Sequence, residues 1–176
     1  MEYRGEKITE EVGQTDCAVF IPPGMCQGIA PTDTFVHECS SNLPSLHSPQ
    51  TTAEAVVVYI PIPHFLGRTT SSRGMKITSI EVYYDLDVAG TAATLKLYKT
   101  TLQADGTIPS VAEVTTTCSH TAAQLYAADE QKAVLTVTTP AFIADNEAYH
   151  VELSITKAAT TDLKFFGALV NFTRAL

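Results

Sequence analysis

The sequence predicts an all-β protein, an antiparallel β-sandwich that is jelly-roll-like and carries an extended, loop-rich N-terminal arm. Three observations lead to this fold class. Residues 76–88 and 149–157 alternate between apolar and polar side chains, the pattern of a strand with one face in water. About seven short apolar segments lie between residues 53 and 173, separated by turn signals. No amphipathic helix connects them, and because parallel strands need such crossovers, the sheets are predicted to be antiparallel.

The arm is predicted to cover residues 1–52, and the β-sandwich domain residues 53–176. Residues 1–13 are charged and contain little apolar material. Further along, proline and glycine interrupt the apolar fragments, at Pro22-Pro23-Gly24, Gly28, Pro31, Pro44 and Pro49. This density of proline and glycine disfavours long helices and central strands. We therefore expect an arm that becomes ordered on a partner and covers a large surface.

The sandwich strands follow in order. Ala55–Ile62 is a short, β-branched apolar run, typical of a buried strand. Lys76–Val88 has one predicted inner face of Ile80, Val82, Tyr84, Leu86 and Val88, and one outer face of Glu81, Tyr83, Asp85 and Asp87. The remaining predicted strands are Thr94–Thr101, Val111–Ser119, Lys132–Thr138, Tyr149–Lys157 and Asp162–Thr173. The last of these has one predicted face of Phe166, Ala168, Val170 and Phe172, and residues 120–129 hold the one plausible helical turn.

Charge and hydropathy exclude several classes of partner. The net charge is −8, and no lysine or arginine occurs between Lys7 and Arg68. A basic stripe that could neutralise phosphates is missing, so binding to nucleic acid or to an anionic membrane is not expected. No segment has the roughly 18 consecutive apolar residues of a membrane span. Residues 1–13 also lack the apolar core of a signal peptide.

The cysteines and histidines offer two weak possibilities. His37-x-Cys39 and Cys118-x-His120 are ligand-type pairs at strand spacing, but structural zinc sites usually contain Cys-x2-4-Cys knuckles, which this sequence lacks. No metal site is therefore predicted. Cys17, Cys26 and Cys39 lie in the proline-rich segment, where a disulfide would stabilise the fold by about 3 kcal/mol. Proteins assembled in a cytosol keep such thiols reduced, so both redox states stay open.

No catalytic or cofactor-binding residue is predicted. The nucleophile elbow Gly-x-Ser-x-Gly, the dinucleotide fingerprint and the phosphate-binding loop are all missing from the sequence. Cys118 and His120 share a strand face, but no acid is placed to orient the histidine. Asp85 and Asp87 share an outer face and are near the separation that glycosidases use. Exposed carboxylates more often keep a half-solvated sheet soluble.

Two stretches resemble a known group of proteins. One runs from Gly74 to Asp85 and continues with Ala93-Thr94-Leu95-Lys96-Leu97-Tyr98-Lys99; the other runs from Asp145 to Leu153 and continues with Phe166 to Thr173. Together they resemble the β-sandwich of small virion structural proteins of tailed bacteriophages, which include capsid decoration (cement) proteins and tail-fibre or receptor-binding modules. The resemblance covers about residues 53–173 and carries no active-site residues with it.

This resemblance implies a structural role in the virion. The first expectation is a capsid decoration protein that clamps neighbouring copies of the major capsid protein through its arm and sandwich edges. It implies a homotrimer on the capsid exterior, assembled in the host cytoplasm. The alternative is a tail-fibre module that binds host surface glycans, for which Tyr83 and Asp85 are weak contact candidates. A glycan hydrolase that uses surface carboxylates is the third hypothesis.

Overall fold

The computed structural model describes residues 14–32, 34–40, 43–49, 53–63, 74–103, 107 and 109–175. Within them the chain forms twelve strands, one short helix and one 3-10 turn at Pro23–Met25. The strands are β1 (Gln14–Ile21), β2 (Gln27–Ile29), β3 (Val36–Ser40), β4 (Leu43–Ser48), β5 (Ala55–Ile62), β6 (Gly74–Leu86), β7 (Ala92–Thr101), β8 (Ser110–Val114), β9 (Thr116–Cys118), β10 (Asp129–Val137), β11 (Glu147–Thr156) and β12 (Leu163–Ala175); the helix is α1 (Ala122–Leu125).

The strands form two sheets, and every pairing among the described strands is antiparallel. The seven-stranded sheet has the order β3-β4-β12-β6-β10-β9, and β1 also pairs with β12. The five-stranded sheet has the order β2-β5-β11-β7-β8. The two sheets pack face to face, so the predicted antiparallel sandwich is confirmed.

The core lies between the sheets and consists of the inward side chains of both. In β6 the inner face is Ile80, Val82, Tyr84 and Leu86, all almost fully buried, as the alternation predicts. Val88 was predicted on the same face, but it follows the last residue of β6 and is exposed. Burial also alternates along β5, where Val57 and Tyr59 point outward instead of lying in a strand buried on both faces.

Residues 14–48 differ from the predicted arm. β1 pairs along its whole length with β12 in the seven-stranded sheet, β4 pairs with the start of β12, and β2 pairs with β5 in the five-stranded sheet. The prolines lie where they remove no central ladder bond: Pro22 and Pro23 in a turn after β1, and Pro44 near the start of β4. The described part of residues 1–52 therefore belongs to the sandwich, and residues 1–13 of the predicted arm lie outside the described residues.

Two further predictions need correction. The predicted strand Val111–Ser119 is two strands, because the chain leaves the five-stranded sheet after β8 and enters the seven-stranded sheet as β9. The register of β12 shifts at a bulge between Phe165 and Gly167. Phe165 is therefore the buried residue of this strand and Phe166 is only half-buried, while Ala168, Val170 and Phe172 are buried as predicted.

The predicted helical turn within residues 120–129 is confirmed as α1. Its N-terminus has a capping box, in which the backbone N–H of Gln124 donates to the Thr121 hydroxyl and the backbone N–H of Thr121 donates to the Gln124 amide oxygen. No helix in the described part of the chain is long and apolar enough to cross a membrane.

Candidate functional site

The predicted contact residue Tyr83 lies on the outer face of the seven-stranded sheet, but it is already engaged. Its hydroxyl donates to Glu81 Oε2 at 2.6 Å, and Lys132 Nζ lies 2.7 Å from the same carboxylate. The Lys132 ammonium also lies 5.7 Å from the centroid of the Tyr83 ring. Hydrogen bonds from Lys132 and then Tyr83 lower the pKa of the Glu81 carboxyl. Tyr83, Glu81 and Lys132 therefore bond to one another, and they leave few polar atoms free to bind a ligand.

Asp85, the second predicted contact, lies in an acidic surrounding. Partial burial raises the pKa of its carboxyl; Lys164 acts in the opposite direction, and Glu130, Asp87 and Asp129 raise it further. The Asp87 carboxylate accepts the backbone N–H of Asp162 at 2.5 Å. The structure therefore uses Asp87 to hold the connection before β12.

The outer face of the five-stranded sheet carries a different arrangement, which the register defines. Tyr98 of β7 lies opposite His150 of β11, with Glu113 of β8 and Pro61 of β5 as the next neighbours on either side. The adjacent row contains Lys96, Glu152, Tyr59 and Gln27, from β7 to β2. We call these eight residues the cross-strand strip, because they form two rows that run perpendicular to the strands.

Three aromatic rings form the centre of the strip. The Tyr98 and His150 rings are stacked, with centroids 5.4 Å apart and an angle of 19° between their planes. The Tyr59 ring lies on the other side of His150, with a centroid distance of 5.9 Å and a tilt of 47°. Both distances are in the range where aromatic pairs attract each other. Because the rings restrict one another, the strip presents a preorganised aromatic surface.

Charged groups surround these rings. Lys96 Nζ lies 2.9 Å from Glu113 Oε2, with 40% of the lysine and 52% of the glutamate side chain exposed. The hydrogen bond that Lys96 donates to Glu113 raises the pKa of the Lys96 ammonium, and Glu152 adds a smaller attraction. An exposed ion pair of this kind contributes little to stability. Its hydrogen-bonding groups can therefore be redirected to a ligand at low cost.

Small side chains border the strip along its two central strands. Thr94 and Ser154 lie on one side of it, and Thr100 and Ala148 lie on the other, all facing outward. On the flanking strands the neighbouring rows continue with larger apolar side chains, Val57 and Ile29 on one side and Val111 on the other. On the two central strands, the strip therefore carries larger side chains than the rows beside it.

This strip was not predicted from the sequence. Tyr59, Tyr98 and His150 lie on three strands that are far apart in sequence, and their proximity depends on the register. Tyr59 and Tyr98 lie near the middle of their predicted strands, but His150 is the second residue of Tyr149–Lys157. Ala55–Ile62 was also predicted to be a buried strand. No local pattern therefore marks the three side chains as one surface.

The predicted metal-type pairs do not come together. Among the described residues, no group of three or more His, Cys, Asp or Glu side chains could hold a metal ion. Cys17, Cys26, Cys39 and Cys118 are all free thiols. Cys26 is buried, and desolvation raises the pKa of its thiol to about 12, which makes it an unreactive core residue.

A surface hollow of about 460 Å³ lies beside β1, β6 and β12. Its polar lining is satisfied within the protein: the Thr173 hydroxyl donates to Asp16 at 2.9 Å, and the Thr78 hydroxyl donates to the Asn171 carbonyl oxygen at 3.1 Å. The Asn171 amide donates to Ser79. Each of these side-chain groups already has a hydrogen-bond partner within the protein. The cross-strand strip is therefore the better candidate for a ligand-binding site.

No protein-family model matches the chain, and no curated protein matches it. Among solved structures, it is similar to a family 30 carbohydrate-binding module, with 11% identity, 88% of this chain and 87% of that chain covered, and a TM-score of 0.46. It is also similar to CBM29_1, a family 29 carbohydrate-binding module from Piromyces equi, with 9% identity, coverage of 89% and 91%, and a TM-score of 0.44.

A third similar structure contains the CBM22-1 and GH10 modules of Clostridium thermocellum xylanase 10B complexed with xylohexaose. The identity is 15%, 89% of this chain is covered, and the TM-score is 0.42. The chain spans only 27% of the length of that protein. At these scores the similarities assign neither a family nor a ligand.

Proposed function

We propose that this protein is a glycan-binding β-sandwich and that the cross-strand strip is its binding face. The single observation that supports the proposal is the cluster of Tyr59, His150 and Tyr98. Their rings are partly exposed and contact one another in series, with charged hydrogen-bonding groups beside them. Aromatic side chains pack on the apolar faces of sugar rings, while carboxylates, amides and amines bond the hydroxyl groups. A preformed apolar surface with a few fixed polar groups is the general design of a ligand site.

The experiment is a glycan array followed by calorimetric titration of the glycans that bind. We expect Tyr98→Ala and His150→Ala to lower the affinity by about tenfold or more, because each removes a stacking surface. Tyr83→Ala is the matched control, since it removes a tyrosine from the opposite sheet, where its hydroxyl is bound to Glu81. Equal losses from all three variants, or unchanged affinity in the two strip variants, would contradict the proposed face.

The capsid decoration role stays a prediction from the resemblance, together with the major capsid protein as partner, the homotrimer and the virion location. The described residues between 14 and 48 do not support a clamp through a separate arm, because β1 to β4 pair within the two sheets. Host surface glycans, the ligands of the tail-fibre alternative, are compatible with the strip. For that role we propose Tyr59, Tyr98 and His150, whereas Tyr83 and Asp85 stay predictions from the sequence.

A further inference from the structure

We propose that the ligand of the cross-strand strip is an uncharged, linear oligosaccharide that lies across the strands and contacts all five of them. This inference rests on the proposed glycan-binding function and adds the ligand's length, orientation and charge. It depends on three features of the strip: the direction of its two rows, the polar residues at its ends, and its net charge.

The direction follows from the register. Gln27 of β2 lies opposite Tyr59, and Glu113 of β8 lies opposite Tyr98. These two residues are therefore at opposite edges of a five-stranded sheet. With neighbouring strands about 4.8 Å apart, the two edge strands are separated by roughly 19 Å. A single sugar ring cannot reach from one to the other, whereas an extended chain laid along the rows can.

The border of the strip supports the same orientation. Along β7 and β11 the outward side chains on either side of the rows are short, namely Thr94 and Ser154 on one side and Thr100 and Ala148 on the other. A chain that followed the direction of one strand would pass over only one of the three rings, because Tyr98, His150 and Tyr59 lie on three different strands. A chain that crosses the strands meets Tyr98, His150 and Tyr59 in succession, and it ends near an amide at Gln27 and a carboxylate at Glu113.

The charge of the strip favours an uncharged ligand. Glu113 and Glu152 are opposed by Lys96 alone, and Lys96 is paired with Glu113. The excess is negative, and the chain as a whole carries a net charge of −8. A glycan with carboxylate or sulfate groups would meet unfavourable potential here. Sugar hydroxyls, in contrast, can donate to both carboxylates.

The test uses the whole protein and oligosaccharides of known length. Cello-oligosaccharides and xylo-oligosaccharides of one to six sugars, and oligogalacturonides as their anionic counterparts, are titrated by calorimetry. We expect affinity to rise with each added sugar until the chain spans the strip, and the anionic series to bind more weakly at every length. This length series needs no variant, so it does not depend on a mutant folding correctly.

Variants at the two ends test the orientation. Gln27→Ala and Glu113→Gln should each weaken binding of the longest ligand by about threefold to tenfold, the effect of one hydrogen bond, and should leave the shortest bound ligand less affected. Thr94→Ala and Thr100→Ala are the controls, as they lie on the same face beyond the rows. Glu152→Gln should raise the relative affinity for oligogalacturonides by about two- to fivefold.

The outcomes separate the two proposals. If an array finds glycans that bind but single sugars bind as tightly as hexasaccharides, the extended ligand is refuted while glycan binding stands. Tighter binding of oligogalacturonides would refute the uncharged ligand in the same way. Larger losses from Thr94→Ala and Thr100→Ala than from the end variants would refute the crossing orientation. If neither the array nor either series shows binding, the proposed function and this inference are both overturned.

Discussion

His150 and Tyr98 are direct register partners on β11 and β7, and their rings stack with centroids 5.4 Å apart. Cross-strand pairs of this kind also stabilise a sheet. We therefore expect a double-mutant cycle with His150→Ala and Tyr98→Ala to give a coupling energy of about 0.5–1.5 kcal/mol. Urea denaturation of the four proteins measures it. Strictly additive losses, within about 0.3 kcal/mol, would mean that the rings do not support each other.

Gly167→Ala should destabilise the protein. Gly167 has a φ of +128°, and a Cβ atom there would lie 2.7 Å from the backbone carbonyl oxygen of Ile21. The clash involves main chain, so it cannot be relieved by turning a side chain, and the left-handed backbone adds further strain. We expect a loss of about 1–3 kcal/mol in the free energy of unfolding.

Gly24→Ala is the matched control for that substitution. A Cβ atom at Gly24 has no neighbour within 4 Å, and its φ is not in the left-handed region. Urea denaturation should show a change within about 0.5 kcal/mol. Equal effects at the two glycines would rule out the contact with Ile21 as the cause.

Tyr84→Phe tests the link between the core and α1. The buried Tyr84 hydroxyl donates to the Leu125 carbonyl oxygen at 2.7 Å, and burial raises the pKa of this phenol. Removing the hydroxyl leaves a buried carbonyl without that donor, at a cost of about 1–2 kcal/mol. Tyr83→Phe, on the exposed face of the same strand, should cost less. The comparison is made by thermal and urea unfolding, and a larger effect at Tyr83 would contradict it.

Asp85→Asn should stabilise the protein at neutral pH. Burial is the main reason that the pKa of Asp85 is raised in the folded state. The folded protein then binds the proton more tightly than the unfolded chain, so stability falls as pH rises through the interval between the ordinary and the raised pKa. The advantage of Asp85→Asn over the native protein should appear as pH rises above about 4 and should persist at pH 7.

Glu81→Gln should destabilise the protein at neutral pH, the opposite of the effect expected for Asp85→Asn. Hydrogen bonds from Lys132 and Tyr83 lower the pKa of Glu81 in the folded state. The stabilisation that ionised Glu81 contributes is complete above the ordinary carboxyl pKa of about 4.3. It is lost as the pH falls through the lowered pKa of the folded state. Denaturation curves recorded from pH 3 to pH 7 measure both variants. If the stability difference between variant and native protein changed in the same direction with pH for both variants, one of the two pKa shifts would be wrongly assigned.

The alternation in β6, β7 and β11 was sufficient to predict the sandwich and the inner faces of its central strands. The alternation failed at Phe166 because the bulge adds one residue, so the side chains before it point to the opposite face from the one predicted. No sequence signal other than Gly167 marks the bulge. Val111–Ser119 was predicted as one strand because a chain that crosses between sheets can keep an extended backbone throughout. Both errors concern geometry that the partner strands impose.

The error over residues 14–48 has a different cause. Short strands with prolines at their ends are typical of sheet edges as well as of loops, and β2, β3 and β4 are of this kind. The proposed strip was not predicted from the sequence for a related reason. Tyr83 and Asp85 are neighbours on one strand and can be seen in the sequence, whereas Tyr59, Tyr98 and His150 meet only across three strands.

The pairing of β1 with β12 has a consequence for how the protein reaches its native state. Eight register pairs, from Gln14 with Ala175 to Ile21 with Ala168, join the first described strand to the last. A ribosome must therefore release the residues as far as Ala175 before β1 can pair along its whole length. Contacts so distant in sequence slow folding and leave strand edges exposed in intermediates. We infer that β1 stays unpaired in the nascent protein until β12 has been synthesised.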